Sequence, residues 1–205
     1  AQKWLADNYN TSEHRLFDYN VYAICSDGDL MEGVACEAAS IAGHLKLDNL
    51  CWLYDDNHIT IEGDTDLAFS ENVGERFEGL GWNVVKVDDA NDLVALQSGL
   101  NNFKACTNKP TLIIVKSIIG FGAPNKGGTA GSHGAPLGGD EIALTRGTLN
   151  WPHKPFAVPD NVLSSWRSIG ARGEAARDNW GGRLAAASAD VRHAFQTAME
   201  GIISA

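Results

Sequence analysis

Two short clusters in the sequence carry acidic and amide side chains. They are Asp27-Gly28-Asp29 and, with Asn57 thirty residues after Asp27, the run Asp55-Asp56-Asn57. A carboxylate and a carboxamide that meet at one point offer hard oxygen ligands, which suit magnesium or calcium. Magnesium usually keeps waters and takes one or two protein oxygens together with substrate phosphates. Gly28 has no side chain, so a phosphate can approach the backbone there. A helix beginning near Leu30 points its amino end at the same place and favours an anion. Together these features point to a magnesium-diphosphate site built from Asp27, Gly28, Asn57 and a nearby backbone carbonyl. The same residue types also serve as helix caps and turn formers at strand ends, so residue type alone leaves both readings open. Other phosphate signatures are missing. There is no GxxxxGK[ST], and Gly120-Phe121-Gly122 runs into Ala123-Pro124-Asn125 instead of a third glycine and a helix. The simplest NTPase and dehydrogenase readings fall with them.

Short apolar runs separated by amphipathic stretches would position these clusters. Val21–Cys25, Leu50–Tyr54, Trp82–Val87 and Pro110–Ser117 read as strands. Their near-continuous apolar character suits a sheet covered on both faces. Between them, Leu30–Leu45, Ser70–Leu80 and Asn91–Cys106 read as helices, with Ser70 as a candidate N-cap. The rhythm predicts an α/β fold with a mainly parallel sheet and helices on both faces. Ligands of such sheets bind beyond the carboxyl ends of the strands, where Asp27 and Asn57 fall. After Ile118 the pattern breaks into a glycine-dense stretch, Gly120 to Gly139, of the kind that forms a functional loop or stays disordered. Pro152, Pro155 and Pro159 mark a boundary. Beyond it, Leu163, Trp166, Trp180, Leu184, Val191 and Phe195 predict a helical tail with an apolar stripe. The expected division is a cofactor-binding domain over 1–155 and a helical interdomain linker over 156–205.

The chain has 205 residues, enough for one large domain or a domain with a tail. Sixteen basic against twenty-six acidic side chains give a net charge of −10, which argues against a nucleic-acid partner held through phosphates. No run of eighteen apolar residues offers a membrane span. The four cysteines, Cys25, Cys36, Cys51 and Cys106, form no CxxC pair and read as small buried hydrophobes in a reducing cytoplasm. The first residues, Ala1-Gln2-Lys3-Trp4, lack the pattern of a secretory signal and an initiator Met, so the start is expected to be processed or truncated.

Ser26-Asp27-Gly28-Asp29-Leu30-Met31-Glu32-Gly33, followed by Tyr54-Asp55-Asp56-Asn57-His58-Ile59-Thr60-Ile61-Glu62-Gly63, resembles the thiamine-diphosphate signature of the transketolase family. Ile119 to Lys126 and Ser132-His133-Gly134-Ala135-Pro136-Leu137 resemble that family, in its bacterial form, more than thiamine enzymes at large. The resemblance runs from about Asp18 to Pro159 and continues more weakly into the tail. It implies the thiamine-diphosphate-binding fold. It also implies roles: Asp27 and Asn57 ligate magnesium through side chains and Ile59 through its backbone carbonyl, with calcium or manganese able to substitute. Gly28 gives its N–H to the diphosphate, and Ile61 and Ile119 pack on the thiamine rings. His133 reaches the diphosphate and the reacting sugar. Glu32 and Glu37 couple two cofactors across a homodimer. The implied reaction is transfer of a two-carbon ketol group from a ketose phosphate to an aldose phosphate, in the pentose phosphate pathway of the cytoplasm. Formaldehyde as acceptor, or a non-catalytic cofactor-binding fragment, are the alternatives.

Each role has a plainer reading. Ile59, Ile61 and Ile119 suit any core, Glu32 suits a first helical turn, and an isolated His133 suits an exposed loop. The resemblance gives His58 no ligand role. Two departures stand out. Ser26 occupies the family's first glycine, which carries a cost if that position needs a positive φ. Family chains are also much longer, so upstream diphosphate contacts and the pyrimidine-binding and C-terminal domains are expected to lie outside this chain. Alone, the chain is then expected to be inactive, with exposed sheet edges that make it partner-dependent or prone to aggregate.

Overall fold

Four apolar runs form the strands of one sheet in the computed structural model, which describes residues 1–202. They are β1 (Val21–Ser26), β2 (Leu50–Asp56), β3 (Asn83–Val87) and β4 (Thr111–Lys116), in the order β1-β2-β4-β3. Every neighbouring pair is parallel. Side chains alternate between faces along each strand, so β2, β3 and β4 supply both cores, while β1 adds Cys25 to the first. On one face Tyr54, Leu112 and Ile114 pack with Leu30, Ala39, Ala42, Val73, Phe77 and Trp82. On the other, Cys51, Val87 and Ile113 pack with Phe103. This is the expected α/β architecture, with helices on both faces.

The helices on the first face are α2 (Asp27–Met31), α3 (Gly33–His44) and α4 (Val73–Gly79); α5 (Leu93–Ala105) covers the second. The single helix expected over Leu30–Leu45 is two. Glu32 takes an extended conformation (φ −71°, ψ 136°) between α2 and α3, and the first turn begins at Asp27, directly after the strand. Ser26 caps that turn at φ −128°, and its N–H donates to the Asp29 carboxylate at 2.8 Å. Its backbone is extended, so serine in place of the family glycine carries no conformational cost here. The helix expected from Ser70 starts at Val73, because the Asn72 side chain accepts from Glu75 N–H at 3.2 Å. Asp92 does the same for α5 with the N–H groups of Val94 and Ala95, both at 2.9 Å.

The glycine-dense stretch is a wired loop that ends in a helix with no clear sequence signal, α6 (Gly139–Thr148). Gly127 N–H donates to Ala123 O at 2.9 Å and Gly128 N–H to Ile119 O at 2.8 Å. Glycine is required at Gly120, where φ is +65° and a Cβ would lie 2.6 Å from Ser132 Oγ.

Residues 20–152, which hold the sheet, form one compact unit; residues 1–19 and 153–205 form the other. In the second unit α1 (Gln2–Tyr9), not expected from the sequence, joins the tail helices α7 (Asp160–Ala186) and α8 (Ala189–Met199). Tyr9, Leu16 and Phe17 pack with Trp180, Leu184, Val191 and Phe195, and Trp180 Nε1 donates to Leu16 O at 2.9 Å. The expected apolar stripe therefore holds in its later half, whereas Trp166 stays exposed.

Candidate thiamine-diphosphate and metal site

The parallel register aligns Ser26 with Asp55, so the two acidic clusters leave neighbouring strands side by side. Asp27 is only 1% exposed. Its Oδ1 accepts from the hydroxyl of Tyr54 at 2.5 Å, and its Oδ2 accepts from the backbone N–H of His58 at 3.1 Å. His58 adopts φ +60°, the left-handed turn that carries the chain back from β2. Burial pushes the Asp27 carboxyl above the ordinary carboxylate range. The Tyr54 hydrogen bond opposes that shift, and the Asp56 charge adds to it. Burial, then the Asp27 contact, pushes the Tyr54 hydroxyl up, so it stays a donor.

Asn57 is half-buried, and its Nδ2 donates to Asp55 Oδ2 at 3.1 Å. Its Oδ1 accepts from Ile59 N–H at 2.9 Å, and an amide oxygen has a second lone pair to offer. Ile59 is buried and faces Asp64 in an antiparallel bridge. The bonds that frame the bridge run from Thr65 N–H to His58 O and from Thr60 N–H to Gly63 O. Ile59 is therefore a non-hydrogen-bonded member of the pair, and its own carbonyl points away from Asp64. A Cβ built on Gly28 would meet nothing within 4 Å, so a bulky anion has room at the start of α2. One carboxylate, one carboxamide oxygen and one outward carbonyl form the all-oxygen set that magnesium takes beside a phosphate. The residues present thus fit both the metal and the diphosphate.

The other expected residues are more exposed than Asp27. Ile61 is 72% exposed and Ile119 half-buried. His133 is exposed at the end of a short turn, Ala130–Ser132, in the glycine-dense loop. Glu32 and Glu37 are exposed at the start of α3 and on its surface. No hydrogen bond joins these residues to Asp27 or Asn57 among the described residues. His58 is an exposed loop residue with Nε2 3.6 Å from Asp56 Oδ1, and potential ligand atoms of Asp27, Asp56 and His58 lie within 4.8 Å of one another. All four cysteines are free, and burial pushes the Cys25 and Cys51 thiols up to about 12, which makes them inert.

Tyr54, whose hydroxyl donates to Asp27, is the site neighbour that residue-by-residue reading missed. It precedes the acidic cluster as one more apolar strand residue, and only the pairing of β1 with β2 aims its hydroxyl at Asp27. Losing a partner that orients a metal ligand weakens metal binding about 10- to 100-fold. Tyr54→Phe is expected to weaken magnesium-dependent thiamine diphosphate binding about 10-fold, read by calorimetric titration of the metal at fixed cofactor.

The model of the family described as transketolase, thiamine diphosphate binding domain, matches residues 1–201. A transketolase from Nostoc sp. is 51% identical over 181 residues, covering 88% of this chain and 27% of that protein. One from Geobacillus stearothermophilus is 47% identical over 191 residues, covering 91% and 28%. Among solved structures, the transketolase from Leishmania mexicana superposes with a TM-score of 0.93 at 36% identity, over 98% of this chain and 31% of that one. A Pichia stipitis transketolase in complex with sedoheptulose 7-phosphate superposes with a TM-score of 0.93 at 37% identity, over 100% and 31%. The chain thus spans less than a third of the length of these relatives. With its parallel sheet, its oxygen-ligand cluster and these likenesses over nearly its whole length, the chain belongs to the transketolase family, as a thiamine diphosphate binding domain.

Proposed function

We propose that this chain is the diphosphate- and metal-holding part of an enzyme that moves a two-carbon ketol group from a ketose phosphate to an aldose phosphate. The observation that carries this reading is the buried Asp27 at the end of β1. It lies beside a turn that presents Asn57 and the outward carbonyl of Ile59. These three residues would hold magnesium, with calcium or manganese as substitutes. Gly28 would give its N–H to the diphosphate. Thiamine diphosphate, when bound, supplies the carbon nucleophile and the electron sink that ketol transfer needs. The chain's own residues bind and orient: Ile61 and Ile119 would flank the thiamine rings, and the His133 imidazole would carry a proton to and from the sugar.

A homodimer suits the exposed apolar side chains on α2 and α3. Met31, Val34, Ile41 and Leu45 lie open to solvent beside Glu37, and a second copy would cover them. Glu32 and Glu37 would then lie where two cofactor sites communicate. Residues 156–205 would link this domain to the rest of a longer protein working in the cytoplasm, in the pentose phosphate pathway. Nothing favours nucleic acid, given the net charge of −10. No described helix is long and apolar enough to cross a membrane.

Calorimetric titration of the chain with thiamine diphosphate, with and without magnesium, tests the site. Saturable binding that requires the metal is the expected result. Heat that is the same with and without magnesium, or none at all, would overturn the reading. In the longer protein, transfer to an aldose phosphate is expected; transfer to formaldehyde alone would replace the acceptor named here.

A further inference from the structure

We propose that Glu141, on α6, is the positioning residue that holds the glycine-dense loop and, through it, His133. The proposal rests on the assignment of His133 to the cofactor and substrate.

Glu141 is buried, 7% exposed, in the first turn of α6. Its Oε1 accepts the backbone N–H of Asn125 at 2.8 Å and of Lys126 at 3.1 Å. Its Oε2 accepts from Asn125 Nδ2 at 2.9 Å. Three donors converge on one carboxylate, so the charge keeps its solvation after leaving water. The Asn125 side chain first, then the backbone N–H of Asn125, holds the carboxyl below the ordinary carboxylate range. The carboxylate is therefore ionised wherever the enzyme would work.

The hydrogen bonds continue from the clamp to the histidine. The carbonyl of Lys126, the residue Glu141 grips, accepts the Ser132 hydroxyl at 2.6 Å and the Thr129 hydroxyl at 2.8 Å. Lys126 Nζ reaches Pro136 O at 3.4 Å, on the far side of His133. His133 itself directly follows Ser132, and its N–H donates to Ala130 O at 3.0 Å. The loop segments before and after His133 are thus tied to Lys126, and Lys126 is tied to a rigid helix. An exposed histidine on a loop of glycines would otherwise sample many orientations, and catalytic groups must be held close to one geometry.

The pair can be rewired. Asn125→Asp sets two carboxylates against each other. Adding Glu141→Gln restores a donor–acceptor pair with the direction reversed, because the new amide donates to the new carboxylate. Glu141→Ala removes the clamp. The experiment uses the 205-residue chain and two readouts. One is hydrogen exchange of the peptides covering 118–136. The other is the shift of the His133 Cε1–H resonance on adding thiamine diphosphate with magnesium. Glu141→Ala and Asn125→Asp are expected to speed exchange in that segment at least about 10-fold, with β2 and β4 unchanged, and to abolish the His133 response. The double variant is expected to restore both. Unchanged exchange in Glu141→Ala overturns the clamp, and so does a double variant no better than Asn125→Asp. Faster exchange with the His133 response intact overturns the link to His133. A wild-type chain whose His133 ignores the cofactor overturns the functional role of His133, and with it this proposal's functional half; the exchange arm still decides the clamp.

Discussion

Asp27→Asn is expected to weaken magnesium-dependent thiamine diphosphate binding at least about 100-fold, beyond what loss of a supporting partner costs, and to leave the metal-free chain as stable as before or more so. The two effects have one origin. Asp27 is a carboxylate buried at 1% exposure, and burial raises its pKa more than the Tyr54 hydrogen bond lowers it. The folded chain then binds that proton more tightly than the unfolded chain does. The stabilising contribution is complete below the unfolded pKa and is lost as pH rises through the raised folded value. At neutral pH the metal-free site therefore carries a cost, which a cation offsets when it binds. Asparagine keeps the shape and removes the charge. Its oxygen can accept from one donor, and the Tyr54 hydroxyl can turn to accept from its amide. Thermal melts of the metal-free chain across pH check the sign. The wild type should gain stability relative to Asp27→Asn as pH falls, and magnesium with cofactor should raise the melting temperature of the wild type alone. A variant that binds as tightly as the wild type would remove Asp27 from the ligand set.

Gly43→Ala is expected to destabilise the sheet unit by about 3 kcal/mol or more, the upper end of overpacking effects. A Cβ at Gly43 would lie 1.8 Å from the carbonyl oxygen of Leu80. That backbone cannot easily retreat. Leu80 N–H donates to Arg76 O at 3.0 Å, and the adjoining Trp82 is buried, with its Nε1 donating to Ala39 O at 2.8 Å. Trp82 packs at a tilt against Trp52 and edge-to-face against Phe77, with ring centroids 5.1 Å away in each case, so a displaced α3 would open the centre of the core. Gly33→Ala is the control, because a methyl there meets nothing within 4 Å. It should change stability by about 0.5 kcal/mol or less. Denaturant midpoints at constant slope separate the two. Equal midpoints for both variants would show that α3 can slide.

The sequence by itself determined the four strands, since each is a short, near-continuous apolar run that needs no partner to be recognised, although Val21, Tyr22 and Ile24 of β1 are exposed. It also brought Asp27, Gly28 and Asn57 forward together as candidates, through residue type and spacing at two strand ends, and the family resemblance added Ile59. The glycine-dense segment stood out by composition. Tertiary structure alone decided how these parts are held. The break at Glu32 starts the first turn at Asp27, and no period in the residues marks it. Tyr54 becomes the partner of Asp27 only because β1 lies beside β2. Glu141 reaches Asn125, sixteen positions earlier in the chain, and α1 finds its place through Tyr9, which packs with Phe17 and Phe195. No pattern in the residues marks Gly43, which is a point of close backbone contact with Leu80. Local patterns record burial and propensity, which each residue expresses through its near neighbours. A hydrogen bond or a close approach between distant residues leaves no periodic trace, because any sequence separation can be closed once the sheet has set the register.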